Sequence, residues 1–547
     1  MNGIILDQTS SLEKNLLSGE VRGGYMSATA LLGEDFSYQI TYRAVEEDSI
    51  MADVSVESPL APFIKLYRVE NVPAGLTANP GGWDDNYITT EPAMLPDLLV
   101  PLEDSVFITP YQNHALWVNV RTDASVPAGI YPITVCFSNQ KKGVCQKTTF
   151  HLTVSSVEQP KGKRIFCQWI HLDCIADYYG VDVFSPEHWA WIERFVKSAA
   201  AHGINMLLTP VLTPPLDTEQ GIERPTVQLL DVYQSGDSYM FGFKRLERYL
   251  DILKSAGIEY VEISHLFTQH GARFAPKVVA EVNGEQKRIF GWETPSSSVE
   301  YRSFLSQMIP ALRKFLRERG VEDQTFFHIS DEPGAEHLES YMEAKRSVAE
   351  LLSGTKIIDA LSAYEFYEKK LVEKPVVTTD HIRPFLEAGV QGLWCYTCCA
   401  QRVDVANRFI AMPSARSRIL AHQMYRYDVE GYLHWGFNFY YSQWSHFMID
   451  PFKTTDSAGM FPAGDPFIVY PGKTEPLPSL RLKVFHELIQ DLAAFDLLEE
   501  RIGREETLKI LLDGADALEF DRYPKDPAYI LDVRRKVIAR LEETGRK

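Results

Sequence analysis

HWAWIERFVKSAAAHGINMLLTPVL, residues 188–212, decides how the chain is read. Its first part puts Trp189, Ile192, Phe195, Val196, Ala199 and Ala200 on one helical face. It stops at Gly203, a residue type that readily takes the left-handed turn ending a helix. An apolar run short enough for a buried strand follows at once. The unit recurs. FKRLERYLDILKSAG (243–257) precedes YVEISHLF (260–267), and SFLSQMIPALRKFLRERG (303–320) precedes TFFHISDEP (325–333). IFCQWIHLD (165–173) comes before the first unit. KIIDALSA (356–363), VVTTDHI (376–382), GLWCYTCC (392–399) and GYLHWGFNF (431–439) complete a set of eight strands, the sixth having the weakest signal. Eightfold strand–helix alternation predicts a (β/α)₈ barrel over 161–500. An open doubly wound sheet would also alternate, but it usually opens on a Gly-rich turn that is missing here.

The flanks read differently. In HALWVNVRTD, Leu116, Val118 and Val120 alternate with polar neighbours. So do Tyr131, Ile133, Val135 and Phe137 in IYPITVCF, and Phe150, Leu152 and Val154 in TTFHLTVSSV. Period two marks strands with one buried face. VPAG, NPGG (79–82) and NQKKG (139–143) are turn signals between strands. Residues 1–160 are therefore expected to form an all-β sandwich, and EQPKGKR (158–164) a linker. Residues 501–547 are expected to form a helical C-terminal segment.

The 547 residues carry a net charge of −19, with 45% hydrophobic and 12% aromatic residues. That balance argues against nucleic-acid binding, which needs cations to displace counterions. It also argues against anionic membranes. No apolar run reaches the roughly 18 residues that span a bilayer. The start, MNGIILDQTSSLEKN, has no basic n-region, so a cytoplasmic location is expected. A neutral carbohydrate is the expected partner, since pyranose faces stack on aromatic rings. The seven cysteines (136, 145, 167, 174, 395, 398 and 399) are too few and too unevenly spaced for a disulfide framework. Cys136 and Cys145 flank an expected hairpin. Cys395, Cys398 and Cys399 invite a zinc reading, but no fourth ligand completes the set and neither metal nor cofactor is expected. The sequence fixes no oligomeric state.

Barrel active sites lie at the C-terminal ends of the strands. Polar and aromatic residues collected there are His171, His265, His328, Asp331, Glu332, Asp380, Trp394, Tyr396, His434, Trp435 and Asn438. Trp292, in a long insertion after the third strand, is a lid candidate. The focus is HISDEP, where Asp331 and Glu332 end the fourth strand. Two close carboxylates shift each other's pKa, which supplies an acid beside a charge stabiliser, the equipment of glycosidic cleavage. S-D-E-P is also helix-capping chemistry. A retaining glycosidase needs a second carboxylate about 5 Å away as nucleophile, and strands seven and eight contain no acid. Asp380 and Asp450 are the remaining candidates. Otherwise a 2-acetamido group on the substrate would supply the nucleophile.

HISDEP, WCYTCC, ANRFIAMPSARSRI, GYLHWGFNFY and GDPFIVYPG resemble, in order and spacing, bacterial proteins carrying the domain of unknown function 4091, related to glycoside hydrolase family 123, the β-N-acetylgalactosaminidases. The resemblance implies a β-sandwich before a (β/α)₈ barrel and retaining, substrate-assisted hydrolysis. It implies that Asp331 stabilises the oxazolinium, that Glu332 is the general acid/base, and that Tyr396 bonds the acetamido carbonyl. SLRLKVFHELIQDLAAFDLL keeps Arg481, Glu487 and Asp491 of the late motif but has Leu492 where the family pattern has tyrosine. Two other classes fit the residues: a glycosidase with its own nucleophile, and a non-catalytic glycan binder. The binder predicts Asp331 or Glu332 turned away or held in an ion pair.

Overall fold

The computed structural model describes residues 3–45, 48–79, 81–139, 143–269 and 271–545. The turn signals at 79–82 and 139–143 lie partly outside the described residues. Eight parallel strands close a barrel in chain order. They are β1 (Ile165–Gln168), β2 (Met206–Thr209), β3 (Tyr260–Ile263), β4 (Thr325–His328), β5 (Lys356–Leu361), β6 (Lys374–Thr378), β7 (Trp394–Tyr396) and β8 (Gly431–His434). β8 pairs with β1 from Ile165↔Gly431 to Gln168↔His434, which seals the cylinder. All eight expected strands are present, each shorter than its apolar run, because the chain leaves the sheet at the mouth.

Side chains alternate across the barrel wall. Cys167, Trp169, Met206, Leu208, Phe326, Ile358, Ala360, Val376, Trp394, Tyr396 and Leu433 form the interior cluster. Their neighbours Phe166, Leu207, Val261, Phe327, Val377, Cys395 and Tyr432 pack outward against the helices. The interior is filled, so only the top layer is open to a ligand. Trp394 lies within the filled part, and a Cβ at Gly431 would come 2.3 Å from its ring, so only glycine fits there.

Two insertions at the mouth build a further sheet. The hairpin Asp231–Ser235/Ser238–Gly242 follows β2, and Val278–Val282/Glu285–Phe290 follows β3. They join through the parallel pair Tyr233↔Glu281.

Before the barrel, two five-stranded sheets share one core. Tyr38, Ile40, Leu116 and Val118 from one sheet meet Ile133, Val135, Phe150 and Leu152 from the other. Cys136 lies opposite Lys147, and Cys145 opposite Ser138, so the two cysteines are not cross-strand partners. The alternation along 35–44 suggests a solvated polar face, yet Asp35, Ser37, Gln39 and Thr41 are all buried. What covers part of that face is α1 (Leu480–Ile502), buried on nearly every side over its first four turns. Asp35 pairs with Lys483, while Ser11 donates to Glu487 at 2.8 Å. Gln490 exchanges hydrogen bonds with the Asp35 backbone at 2.7 and 3.2 Å. Arg481 grips Asp97 through two nitrogens at 2.8 and 2.9 Å. On its other sides α1 holds Arg418 through Asp491 and Glu487. Helices Arg504–Leu512 and Pro527–Gly545 close the chain. Among the described residues no helix is long and apolar enough to cross a membrane.

Candidate active site

The chain beyond β4 is stitched in place by its neighbours. Asp359 on β5 accepts the Ile329 amide at 2.9 Å and the Tyr341 hydroxyl at 2.6 Å. Ser330 donates its hydroxyl to the Thr268 carbonyl, and the Glu332 amide donates to the Ala360 carbonyl at 3.1 Å. No helix begins until Ala335, and no side chain of 330–332 caps it. Glu332 instead sits at φ +45°, a region rare for residues other than glycine and enriched at functional sites. This turn aims both carboxyl groups into one cavity of about 200 Å³. That is below the usual range of about 300–1,000 Å³ for drug-sized ligands, and it suits a single small ring.

Trp169, Tyr396, Leu433 and Trp435 form part of the wall, with Gln269, Cys398 and Cys399 beside the carboxyls and Asp217, Gln443, Trp444 and Phe461 toward the mouth. Gln269 donates to Asp331 at 2.6 Å. The Tyr396 hydroxyl donates to Glu332 at 2.8 Å, so in this state it serves the carboxylate. Burial first, and the Glu332 charge second, push the Asp331 carboxyl up to about 7. Trp435 donates its indole N–H to Asp465 at 3.1 Å, and burial raises Asp465 to about 7 as well. The Cys399 thiol, burial and nearby charge push the Cys398 thiol well above its ordinary range, so it stays protonated.

Of the residues singled out in the sequence, Asp331, Glu332, Tyr396 and Trp435 meet in this cavity. Six others lie outside its lining. Asn438 clamps the His171 backbone at 2.9 and 3.1 Å, and the His171 ring sits between Arg224 and the Trp435 carbonyl. Both residues hold Trp435 from outside. His434 points outward and accepts from Arg408 at 2.6 Å. Trp394 is one layer too deep. His265 and His328 are buried, their rings 4.0 Å apart. Asp380 is bonded to His381 and Gln401 and lines a separate surface cleft. Trp292 donates to the Ile222 carbonyl and lines a neighbouring crevice beside Arg224. Its loop is occupied in building the four-stranded sheet. Asp450 caps the Phe452 amide and pairs with Lys453, also away from the cavity lining.

Glu262 was not singled out, being a buried acid in a strand that reads as apolar. It accepts from Cys167 and Trp169 at 2.9 Å each and from His328 Nδ1 at 2.8 Å. Its charge favours a protonated His328, but His328 Nε2 accepts the Ala360 amide at 3.2 Å, and that bond keeps the ring neutral. Glu262, His265 and His328 are close enough to suggest a cation site. Two of the three already spend their facing atoms on protein donors, which leaves one ligand where a metal needs at least three. Cys395 packs outward, away from Cys398 and Cys399, so the three cysteines cannot share an ion. Glu262→Ala would strand three buried donors at roughly 1–3 kcal/mol each. We expect a fall in Tm of several degrees and a blue shift in Trp169 fluorescence, read by thermal melts and emission spectra.

A parallel barrel with adjacent carboxyls and aromatic rings at the C-terminal mouth is the equipment of a glycosidase. The sequence profile of the glycoside hydrolase 123 catalytic domain matches residues 169–498, and the chain belongs to that family. Among solved structures, a family 123 glycoside hydrolase from Clostridium perfringens, described for glycolipid glycan hydrolysis, aligns over 99% of both chains at 14% identity and a TM-score of 0.73. At that identity the likeness is one of fold. An endo-β-1,4-mannanase from Thermotoga petrophila aligns over 61% of this chain and 77% of its own at 14% identity and a TM-score of 0.34. A β-glucuronidase from Parabacteroides merdae aligns over 80% and 47% at 12% identity and 0.28, and neither adds to the assignment. Comparison with curated proteins finds no match.

Proposed function

We propose that this glycoside hydrolase is a retaining exo-β-N-acetylhexosaminidase, acting on β-GalNAc-type termini by substrate-assisted catalysis. The observation that carries the reading is the strained turn that turns two consecutive carboxyls into one ring-sized cavity. The sugar's acetamido oxygen attacks C1 and forms an oxazolinium. Asp331 bonds the amide N–H and balances the positive charge, while Glu332 protonates the leaving oxygen and later deprotonates the water that opens the ring. Neither carboxyl is engaged by a Lys or Arg among the described residues, in keeping with catalytic use rather than a binding role alone. Asp380 and Asp450 are both committed elsewhere, which supports a nucleophile supplied by the substrate. The chain divides on this reading into a sandwich at 1–160, the catalytic barrel at 161–500 and a helical segment at 501–547.

A panel of aryl β-GalNAc, β-GlcNAc, β-galactoside and β-glucoside tests the proposal. Turnover should be confined to the two acetamido sugars. Comparable turnover of a 2-hydroxy sugar, or a glycosyl ester trapped on Asp217, Asp380 or Asp450, would refute it.

The pH dependence follows from the pair. Burial favours the protonated form of Asp331 up to about 7, so the two carboxyls together keep one proton below that pH. An amide N–H bonded to Asp331 favours its charged form and leaves the proton for Glu332. Above about 7 the pair loses that proton and the acid is gone. Plotted as logarithm against pH, kcat/KM should fall with unit slope through that region. A rate still rising at pH 8 would count against the assignment.

A further inference from the structure

The cavity does not end at the carboxyls. Its outer end is formed by Trp444 and Gln443, on a loop beyond β8, with Asp217 and Phe461. Trp444 is 39% exposed, unlike the buried Trp169. An indole held half in water, in a chain that buries most of its aromatics, needs a reason. So does the backbone around it: Trp444 at φ +62°, Ser445 at +58° and Asp217 at +40° are non-glycine residues in the left-handed region, grouped at one rim. Hydrogen bonds pin this geometry. Asp217 Oδ2 accepts the Trp444 amide at 3.0 Å, its carbonyl accepts the Ser445 hydroxyl at 2.7 Å, and Glu219 donates its amide to the Trp444 carbonyl at 3.2 Å.

The rim is also tied to the pair. Gln269 Oε1 accepts the Asp217 amide at 2.7 Å, while Gln269 Nε2 donates to Asp331 at 2.6 Å. One side chain thus fixes the carboxyl at the floor and the turn that carries Trp444.

We infer that Trp444 is the platform for the unit released by the reaction, and that this unit is a neutral pyranose. The inference rests on the reading of Asp331 and Glu332 given above, and it assigns the leaving-group side of the same site. Departing oxygen and acid must face each other, so the leaving unit extends from Glu332 toward the open end, where the indole stands. A flat exposed ring matches the C–H face of a pyranose. Asp217 and Glu219 beside it disfavour a phosphorylated or sulfated unit.

The test compares two glycosides of one acetamido sugar, a β-linked disaccharide with galactose and the methyl glycoside. Trp444→Ala should lower the kcat/KM ratio of disaccharide to methyl glycoside by about 10-fold. Trp444→Phe should recover most of it. Asp217→Gly, which frees the turn but removes the carboxyl holding Trp444, should move the ratio in the same direction. A ratio that does not change in Trp444→Ala overturns the platform. If the wild-type protein cleaves no acetamido sugar, the donor-sugar reading fails and the platform is judged by lactose titration of the intact protein. The indole N–H resonance absent from Trp444→Phe should then shift at millimolar lactose and not with inorganic phosphate. No shift with lactose overturns it.

Discussion

Glu332→Gln should lower kcat/KM for a phenyl acetamido glycoside by about 10²–10⁴-fold, the usual contribution of general acid catalysis. The replacement keeps size and polarity, and the amide still accepts from Tyr396, which bonds the acid at 2.8 Å in the native chain. What it removes is the proton. The loss should therefore shrink for a dinitrophenyl glycoside, whose leaving group departs without protonation. Deacylation-like ring opening needs the same residue as a base, so a burst of phenolate followed by a slow phase is expected with the activated substrate. Equal losses on good and poor leaving groups would remove Glu332 from the acid role.

Asp331→Asn is the second large effect. An oxazolinium carries positive charge beside this side chain, whereas the neutral amide of the ground state does not. The cost should fall on kcat by about 10²–10³-fold, with little change in KM. A thiazoline mimic of the cyclised sugar should lose affinity in parallel. The same substitution should stabilise the fold in a pH-dependent way. The folded-state carboxyl titrates near 7 against an ordinary value of 3.8 because it is buried. Burial of its charge costs nothing below the ordinary value and the full amount above about 7. The gain in Tm from Asp331→Asn should accordingly be larger at pH 8 than at pH 5. A variant that loses activity and stability together at both pH values would point to a structural role alone.

The barrel was legible because its signal is repeated. Each helix shows an apolar face, most end near a glycine, and each apolar run is followed by another unit. HISDEP was legible because adjacent acids at a strand end are costly without a use. The histidines misled for a physical reason. A histidine past a strand end looks the same in sequence whether it faces the cavity or the wall, and here each of His171, His265, His328 and His434 is held behind the lining. Counting alternation from the strand would have found Trp169, since Cys167 and Trp169 share the inward face, and would have turned His434 outward. Gln269, Asp217 and Trp444 gave no signal of that kind. They come from loops after β3, β2 and β8, and only the closure of the barrel brings them together.

The buried helix α1 has a further meaning for how such a protein can change. Its charged side chains reach the sandwich through Arg481 and Lys483 and the barrel side through Glu487 and Asp491. A recombination event that exchanged the first 160 residues for an unrelated module would leave several of those ions in the interior without counterions. The two parts are in that sense heritable only together. The mouth is free of this constraint. Loops carrying residues such as Trp444 can be rewritten one at a time, so a lineage built on this architecture would diversify its glycans at the rim while its interior joint stood still.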